Sequence, residues 1–258
     1  MEFIVSSSKL SQQLQIISKV IKAKPTLPVL EYFLFTIKDQ ELHITATDLE
    51  TTIVCTLDLD NSQADITFTI ESKRLLSILK EFAEQPLIFS VEKTKSENDT
   101  TNETIAVTIK TNSGIYQLMG DVADEFPKIP EIDENTAHKF TLRSEIFIKG
   151  LQTTLFATTN DEYRPVMNGI FCEIFEDQIN MVATDAHKLV KYNHKNFENN
   201  FSDSFILPQK TALLLKNINP SEDDDLQIIF NEKNIFIQIE NFQLIAQLIE
   251  GKFPNYQA

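Results

Sequence analysis

Asp185-Ala186-His187 is the arrangement in this sequence that comes nearest to a reactive pair. On a strand, residues two apart share a face, so the carboxylate would orient the imidazole for acid–base work. With a divalent ion held beside it, the pair would suit an acidic metal-dependent hydrolase. No nucleophile is identifiable next to it. The other histidines, His43, His138 and His194, have no partner at metal-ligand spacing. Glu222-Asp223-Asp224-Asp225 concentrates charge but lacks the spaced oxygen ligands and glycine of a calcium loop, and reads as a solvated turn. Five glycines in 258 residues leave no phosphate-cradling loop. Cys55 and Cys172 lie in apolar, strand-like runs, too few for a disulfide framework or a thiolate metal site. They read as buried thiols in a reducing cytoplasm.

A second feature weakens the catalytic reading. Pro28-Val29 and Ala46-Thr47-Asp48 recur as Pro165-Val166 and Ala183-Thr184-Asp185, with Asp48-Leu49-Glu50 at the place of Asp185-Ala186-His187. One unit is written twice, and a unit this long is a domain rather than a solenoid repeat. Asp48 and Asp185 each follow a strand ending in Ala-Thr, where a carboxylate commonly bonds the backbone of its own turn.

The elements that must position these residues follow the same order in each copy. Leu10, Leu14, Ile17 and Val20 recur at helical spacing behind a Ser7 or Ser8 cap, and Ser72 caps a helix through Leu75, Leu76, Leu79 and Phe82. In copy two, Ser144 caps a helix through Phe147 and Leu151, and Pro208 opens one through Ala212 and Leu215. Runs of alternating burial, Ile53 to Asp60 most clearly, predict strands between and after the helices. Few helices beside many strands predict an α+β fold, with helices packed on one face of antiparallel sheets. The polar stretch Lys93 to Glu103 reads as a flexible hairpin insertion. The acidic, Pro-containing stretch Lys128 to Ala137 reads as a linker, dividing the chain into domains 1–128 and 129–258. A second Phe-Pro at Phe253-Pro254 matches Phe126-Pro127, so a further domain, absent from this chain, is expected after it.

No run approaches the roughly 20 apolar residues of a membrane span. The net charge of −15 argues against non-specific nucleic-acid binding if taken alone. Its distribution argues otherwise. Lys9, Lys19, Lys22 and Lys24 fall in a stretch without acids from Ser6 to Leu30, and Lys73, Arg74, Lys80, Lys210 and Lys216 mark the second helix of each copy.

Lys24-Pro25-Thr26-Leu27-Pro28-Val29-Leu30, Thr47-Asp48-Leu49-Glu50, Asp124-Glu125-Phe126-Pro127, Met167-Asn168-Gly169, Ala183 to Leu189 and Lys252 to Tyr256 occur in that order. Carrying these motifs within a duplicated unit, the chain resembles the bacterial DNA polymerase III β subunit, the sliding clamp family, over essentially its whole length. The resemblance implies a non-catalytic, cytoplasmic processivity factor without cofactors. In that family three similar domains per chain, two chains per ring, encircle double-stranded DNA with helices inward.

On this resemblance Lys24, Lys73, Arg74 and Lys210 face the DNA and contact its backbone without reading sequence. Met167, Thr184, Ala186, His187, Lys188, Leu189 and Pro254 line an apolar cleft. It receives the clamp-binding peptides of the polymerase III α subunit and the clamp loader. Tyr116 and Leu118 lie on an edge strand used in the homodimer. Two positions depart from the family pattern: Ala186 and Lys188 stand where Gly and Arg are frequent. Ala186 is a small change unless positive φ is required there.

Overall fold

The computed structural model describes residues 1–59, 65–96, 99–133 and 136–257. The chain divides into two compact units, Met1–Ile129 and Pro130–Ala258. Unit 1 contains β1 (Glu2–Ser6), α1 (Ser7–Ile17), β2 (Tyr32–Lys38), β3 (Glu41–Thr47), β4 (Thr51–Asp58), β5 (Ile66–Glu71), α2 (Ser72–Leu79), β6 (Pro86–Ser96), β7 (Asp99–Lys110) and β8 (Ile115–Asp121). Unit 2 contains β9 (His138–Arg143), α3 (Ser144–Thr154), β10 (Gly169–Ile174), β11 (Gln178–Thr184), β12 (Leu189–Lys195), β13 (Asp203–Pro208), α4 (Gln209–Ile218), β14 (Asp225–Phe230), β15 (Asn234–Ile239) and β16 (Phe242–Gln247).

The strands of unit 1 pair in the order β1-β6-β7-β8-β5-β2-β3-β4, and those of unit 2 as β9-β14-β15-β16 and β12-β11-β10-β13. The pairings are antiparallel, and the α+β class expected from the sequence holds. Period-two burial explains the strands: Phe33, Phe35 and Ile37 of β2 are buried while their neighbours are partly exposed. On α1, Leu10, Leu14 and Ile17 form one buried stripe, and α3 does the same with Phe147 and Leu151. Each such side chain contributes about 1.5–3 kcal/mol through burial. Cys55 and Cys172 are buried and unbridged, and burial pushes the Cys55 thiol up to about 12.

The repeat is carried by the structure residue for residue. Ser7 and Ser144 begin α1 and α3, Ile66 and Asp203 begin β5 and β13, and Ser72 and Gln209 begin α2 and α4, each pair 137 apart. Registers agree too: Thr36↔His43 in unit 1 corresponds to Glu173↔Asn180 in unit 2. Beyond the next hairpin the spacing drops to 128, as Lys110↔Ile115 corresponds to Gln238↔Gln243. Copy one is therefore longer in the β6–β7 hairpin. There the expected hairpin insertion at Lys93–Glu103 is found among the described residues, as β6 runs to Ser96 and β7 resumes at Asp99. Thr94 lies opposite Thr104 with their hydroxyls 3.0 Å apart, a cross-strand pair that suits β-branched residues. Residues 97–98 of that stretch lie outside the described residues.

The starts of four helices differ from expectation. Ser6, not Ser7 or Ser8, caps α1, its hydroxyl accepting the Lys9 N–H at 3.2 Å. Ser72 and Ser144 are the first buried residues of their helices, and the Ser144 hydroxyl donates instead to the Ser221 carbonyl. Pro208 sits one residue before α4, as the end of β13. In each case a strand runs directly into the helix.

Candidate functional site

Thr47-Asp48 and Thr184-Asp185 build the same turn twice. The Thr47 hydroxyl accepts the Leu49 N–H at 3.1 Å, and Asp48 Oδ1 accepts the Glu50 and Thr51 N–H groups at 3.2 and 2.8 Å. In copy two the Thr184 hydroxyl accepts the Ala186 N–H at 3.1 Å, and Asp185 Oδ1 accepts those of His187 and Lys188 at 3.0 and 2.9 Å. The turn reading holds for both. The second residue beyond each Thr has positive φ, 79° at Leu49 and 74° at Ala186. Ala186 therefore does adopt positive φ, a conformation that costs an alanine more than a glycine.

The same geometry removes the acid–base pair. Asp185 and His187 lie in a turn, not on a strand, and the carboxylate is used by two backbone N–H groups and by the Lys188 ammonium. Lys188 first, then those N–H groups, hold the Asp185 carboxyl well below the usual carboxylate range. It remains ionised and committed to local structure. Among the described residues, no group of three or more His, Cys, Asp or Glu could hold a metal ion.

Around the second turn, one face of the β12-β11-β10-β13 sheet carries Thr184 and Leu189, two of the residues that the resemblance assigned to a cleft. Directly opposed residues share a face, so Thr184↔Leu189, Phe171↔Val182 and Phe171↔Ile206 define it. Thr184 is buried, whereas Leu189, at the start of edge strand β12, is 47% exposed. Ala186, His187 and Lys188 are exposed above it. Met167 is half-buried in a short 3₁₀ turn, Pro165–Met167, that leads into β10. The segment after β16 then folds back across the face. Phe253 is buried against Val182 and Ile206 and stacks on Phe171 at 4.8 Å. Half-buried Pro254 follows it. This strap also borders an open cavity of about 420 Å³ whose lining includes Phe171, Ile206, Phe230 and Ile249.

The basic candidates are less uniform than their spacing suggests. Lys73 and Arg74 are adjacent and exposed on α2, but pair with Glu31 at 3.5 Å and Glu71 at 2.8 Å. Lys24 is exposed in the loop after α1. Lys210 lies in the first turn of α4 in the other unit. Lys22, from the acid-free stretch, is turned to the turn of copy one, 3.2 Å from both Asp48 and Glu50. Burial opposes its charge, but Glu50 and Asp48 outweigh that and raise its pKa.

Tyr116 and Leu118 lie on β8, where Ile115 to Met119 pair with β7 while β5 meets only Gly120 and Asp121. Both residues point inward. Leu118 is buried, and Tyr116 meets Phe82 edge-on at 5.1 Å. Ile115 and Met119 are the exposed apolar residues of this strand, which the sequence reading did not single out.

Comparisons with known proteins agree in one direction. The sequence model of the DNA polymerase III beta subunit N-terminal domain matches residues 1–130, and that of its central domain matches 141–255. The beta sliding clamp of Haemophilus influenzae is 27% identical over 257 residues, covering 100% of this chain and 67% of that protein. The beta sliding clamp of Halalkalibacterium halodurans is 24% identical over 264 residues, covering 98% of this chain and 66% of that protein. The chain thus spans about two thirds of the length of these relatives. A Pseudomonas aeruginosa sliding clamp solved with griselimycin superposes with a TM-score of 0.89 at 24% identity, covering 100% of this chain and 67% of that one. The beta subunit from Thermotoga maritima gives 0.84 at 22%, covering 99% and 66%. At these identities the structures establish the fold.

Proposed function

The chain belongs to the DNA polymerase III beta subunit family, and from that membership we propose that it works as a sliding clamp. It catalyses nothing; it holds replication proteins on duplex DNA by topology. The observation that carries this reading is the in-order match of both clamp domains across one duplicated chain. DNA contacts come from Lys24, Lys73, Arg74 and Lys210. They are made to phosphates and are blind to sequence, because base readout would stop the ring from sliding. The acidic remainder disfavours DNA elsewhere on the surface.

Partners dock on unit 2. The exposed Leu189, with Met167 and Pro254 as further apolar lining and Thr184 to Lys188 as a polar rim, suits an extended peptide carrying two or three apolar side chains. Such peptides come from the polymerase α subunit and the clamp loader. The β8 edge, with Tyr116 and Leu118 behind it, pairs with a neighbouring subunit when the ring closes.

The test is a calorimetric titration with a Gln-Leu-x-Leu-Phe peptide. The chain is expected to bind it, and Leu189→Asp to weaken binding more than about tenfold by placing a charge in an apolar contact. Equal affinity of the two proteins, with folding unchanged, would reject the cleft assignment.

A further inference from the structure

The two copies differ at one place that the cleft residues themselves do not explain. In copy two the phenol of Tyr256 donates a hydrogen bond to Glu173 Oε2 on β10. Glu173 Oε2 also accepts from Asn180 Nδ2 at 3.1 Å, and Asn180 Oδ1 accepts from Asn193 Nδ2 at 2.7 Å. Lys191 of β12 lies 5.4 Å from the centre of the Tyr256 ring. A row of polar side chains thus crosses three strands and ends on the strap.

Copy one keeps the far end of this row, where His43 Nδ1 and Thr56 Oγ1, at the places of Asn180 and Asn193, lie 3.0 Å apart, but it lacks the carboxylate and the phenol. At the matching spacing Glu173, Asn180 and Lys191 are replaced by Thr36, His43 and Val54, and the residue three beyond the Phe of Phe-Pro is Ile129 rather than Tyr256. At its start the strap passes close to Val166. Gly251 has φ 127°, and a Cβ there would stand 2.8 Å from Val166 Cγ1, beside Met167. Pro254 therefore lies between an anchor at Phe253 and an anchor at Tyr256, both resting on β10.

We propose that Tyr256 and Glu173 form a latch that positions Pro254 and so sets the affinity of the cleft for an apolar peptide. They are positioning residues, and the inference rests on the cleft reading above. A site assembled in only a fraction of molecules loses affinity in proportion to that fraction, so releasing the latch weakens binding without touching a contact residue.

The experiment titrates a Gln-Leu-x-Leu-Phe peptide into the wild-type chain, Tyr256→Phe, Glu173→Ala and Glu173→Gln, with amide hydrogen exchange followed over residues 251–257. Tyr256→Phe and Glu173→Ala are expected to weaken binding by about three- to tenfold and to speed exchange in the strap, with the thermal midpoint unchanged. Glu173→Gln, whose amide oxygen still accepts from the phenol, is expected to restore most of the affinity. Wild-type affinity in Tyr256→Phe would overturn the latch while leaving the cleft standing. No binding by the wild-type chain would overturn the cleft reading and the latch with it.

Discussion

Leu49 and Ala186 occupy the same position of the same turn in two units, both in the left-handed region, at φ 79° and 74°. Each N–H is taken by the Thr hydroxyl two residues earlier, so local hydrogen bonding over-determines a conformation that L-residues resist. The copies then diverge in how the Asp is balanced. Asp48 is buried and paired with Lys22 from outside the turn, whereas Asp185 is balanced by Lys188 from within it. The copy-two turn thereby draws a counter-charge from within itself, where the copy-one turn takes one from the loop after α1.

Ala186→Gly is expected to stabilise unit 2 by about 0.5 kcal/mol, since relief of the left-handed strain slightly exceeds the added freedom of the unfolded chain. Ala186→Val should cost about 1–2 kcal/mol, because a β-branched residue tolerates positive φ worst. Urea unfolding followed by circular dichroism gives both values. Equal stability of the Gly and Val variants would mean that the turn relaxes out of the left-handed region.

The depressed Asp185 carboxyl gives a pH prediction with a definite sign. A carboxyl whose folded pKa lies below its unfolded value stabilises the turn fully above the ordinary Asp range. That stability is lost only as pH falls through the lowered value. The Asp185 side-chain carbon resonance should therefore stay flat from neutral pH to about pH 3, below the ordinary Asp value of roughly 3.9. In Lys188→Ala, which removes the largest cause of the shift, the titration should move up toward that ordinary range.

The sequence made much of this fold legible because its repeat and its strand periodicity lie in the buried side chains. The central strands and all four helices could be placed from those patterns. β1, β9 and β13 are weakly marked in the sequence: each is five or six residues long and leads straight into a helix, so no turn residues mark the change of period. Ser72 and Ser144 resembled caps for the same reason. The cleft turn was visible as Thr-Asp, but its consequence for Asp185 and His187 depended on a φ angle that residue types do not display. The latch was invisible, since Tyr256 and Glu173 are 83 residues apart and meet only when the strap folds back.

Gly120 marks the junction of β8 with β5, opposite Ile70, and a Cβ there would collide with the Thr69 backbone carbonyl. Backbone cannot swing aside as a side chain does. Gly120→Ala is expected to destabilise unit 1 by about 1–3 kcal/mol, the usual cost of overpacking. Gly114→Ala is the control, since its Cβ would meet Tyr116 Cε2 at an ordinary 3.9 Å. Chemical denaturation of the two variants should separate them clearly, and equal midpoints would show that the β5–β8 junction yields.

The pairing of Lys73 with Glu31 and of Arg74 with Glu71 bears on the proposal that these two cations contact DNA. Exposed ion pairs are weak, worth about 0–1 kcal/mol, so phosphates can compete for both cations at modest cost. Removing the competing acid should then tighten DNA binding rather than loosen it. Glu71→Gln is expected to raise affinity for duplex DNA about two- to threefold, within that range of pair energies. Lys73→Ala and Arg74→Ala should each lower it and reduce the slope of log K against log salt by about 1, the signature of one lost phosphate contact. The changes should be the same for unrelated duplex sequences, because no base edge is read. An unchanged salt slope in the Lys73→Ala, Arg74→Ala double variant would exclude α2 from the DNA-facing surface.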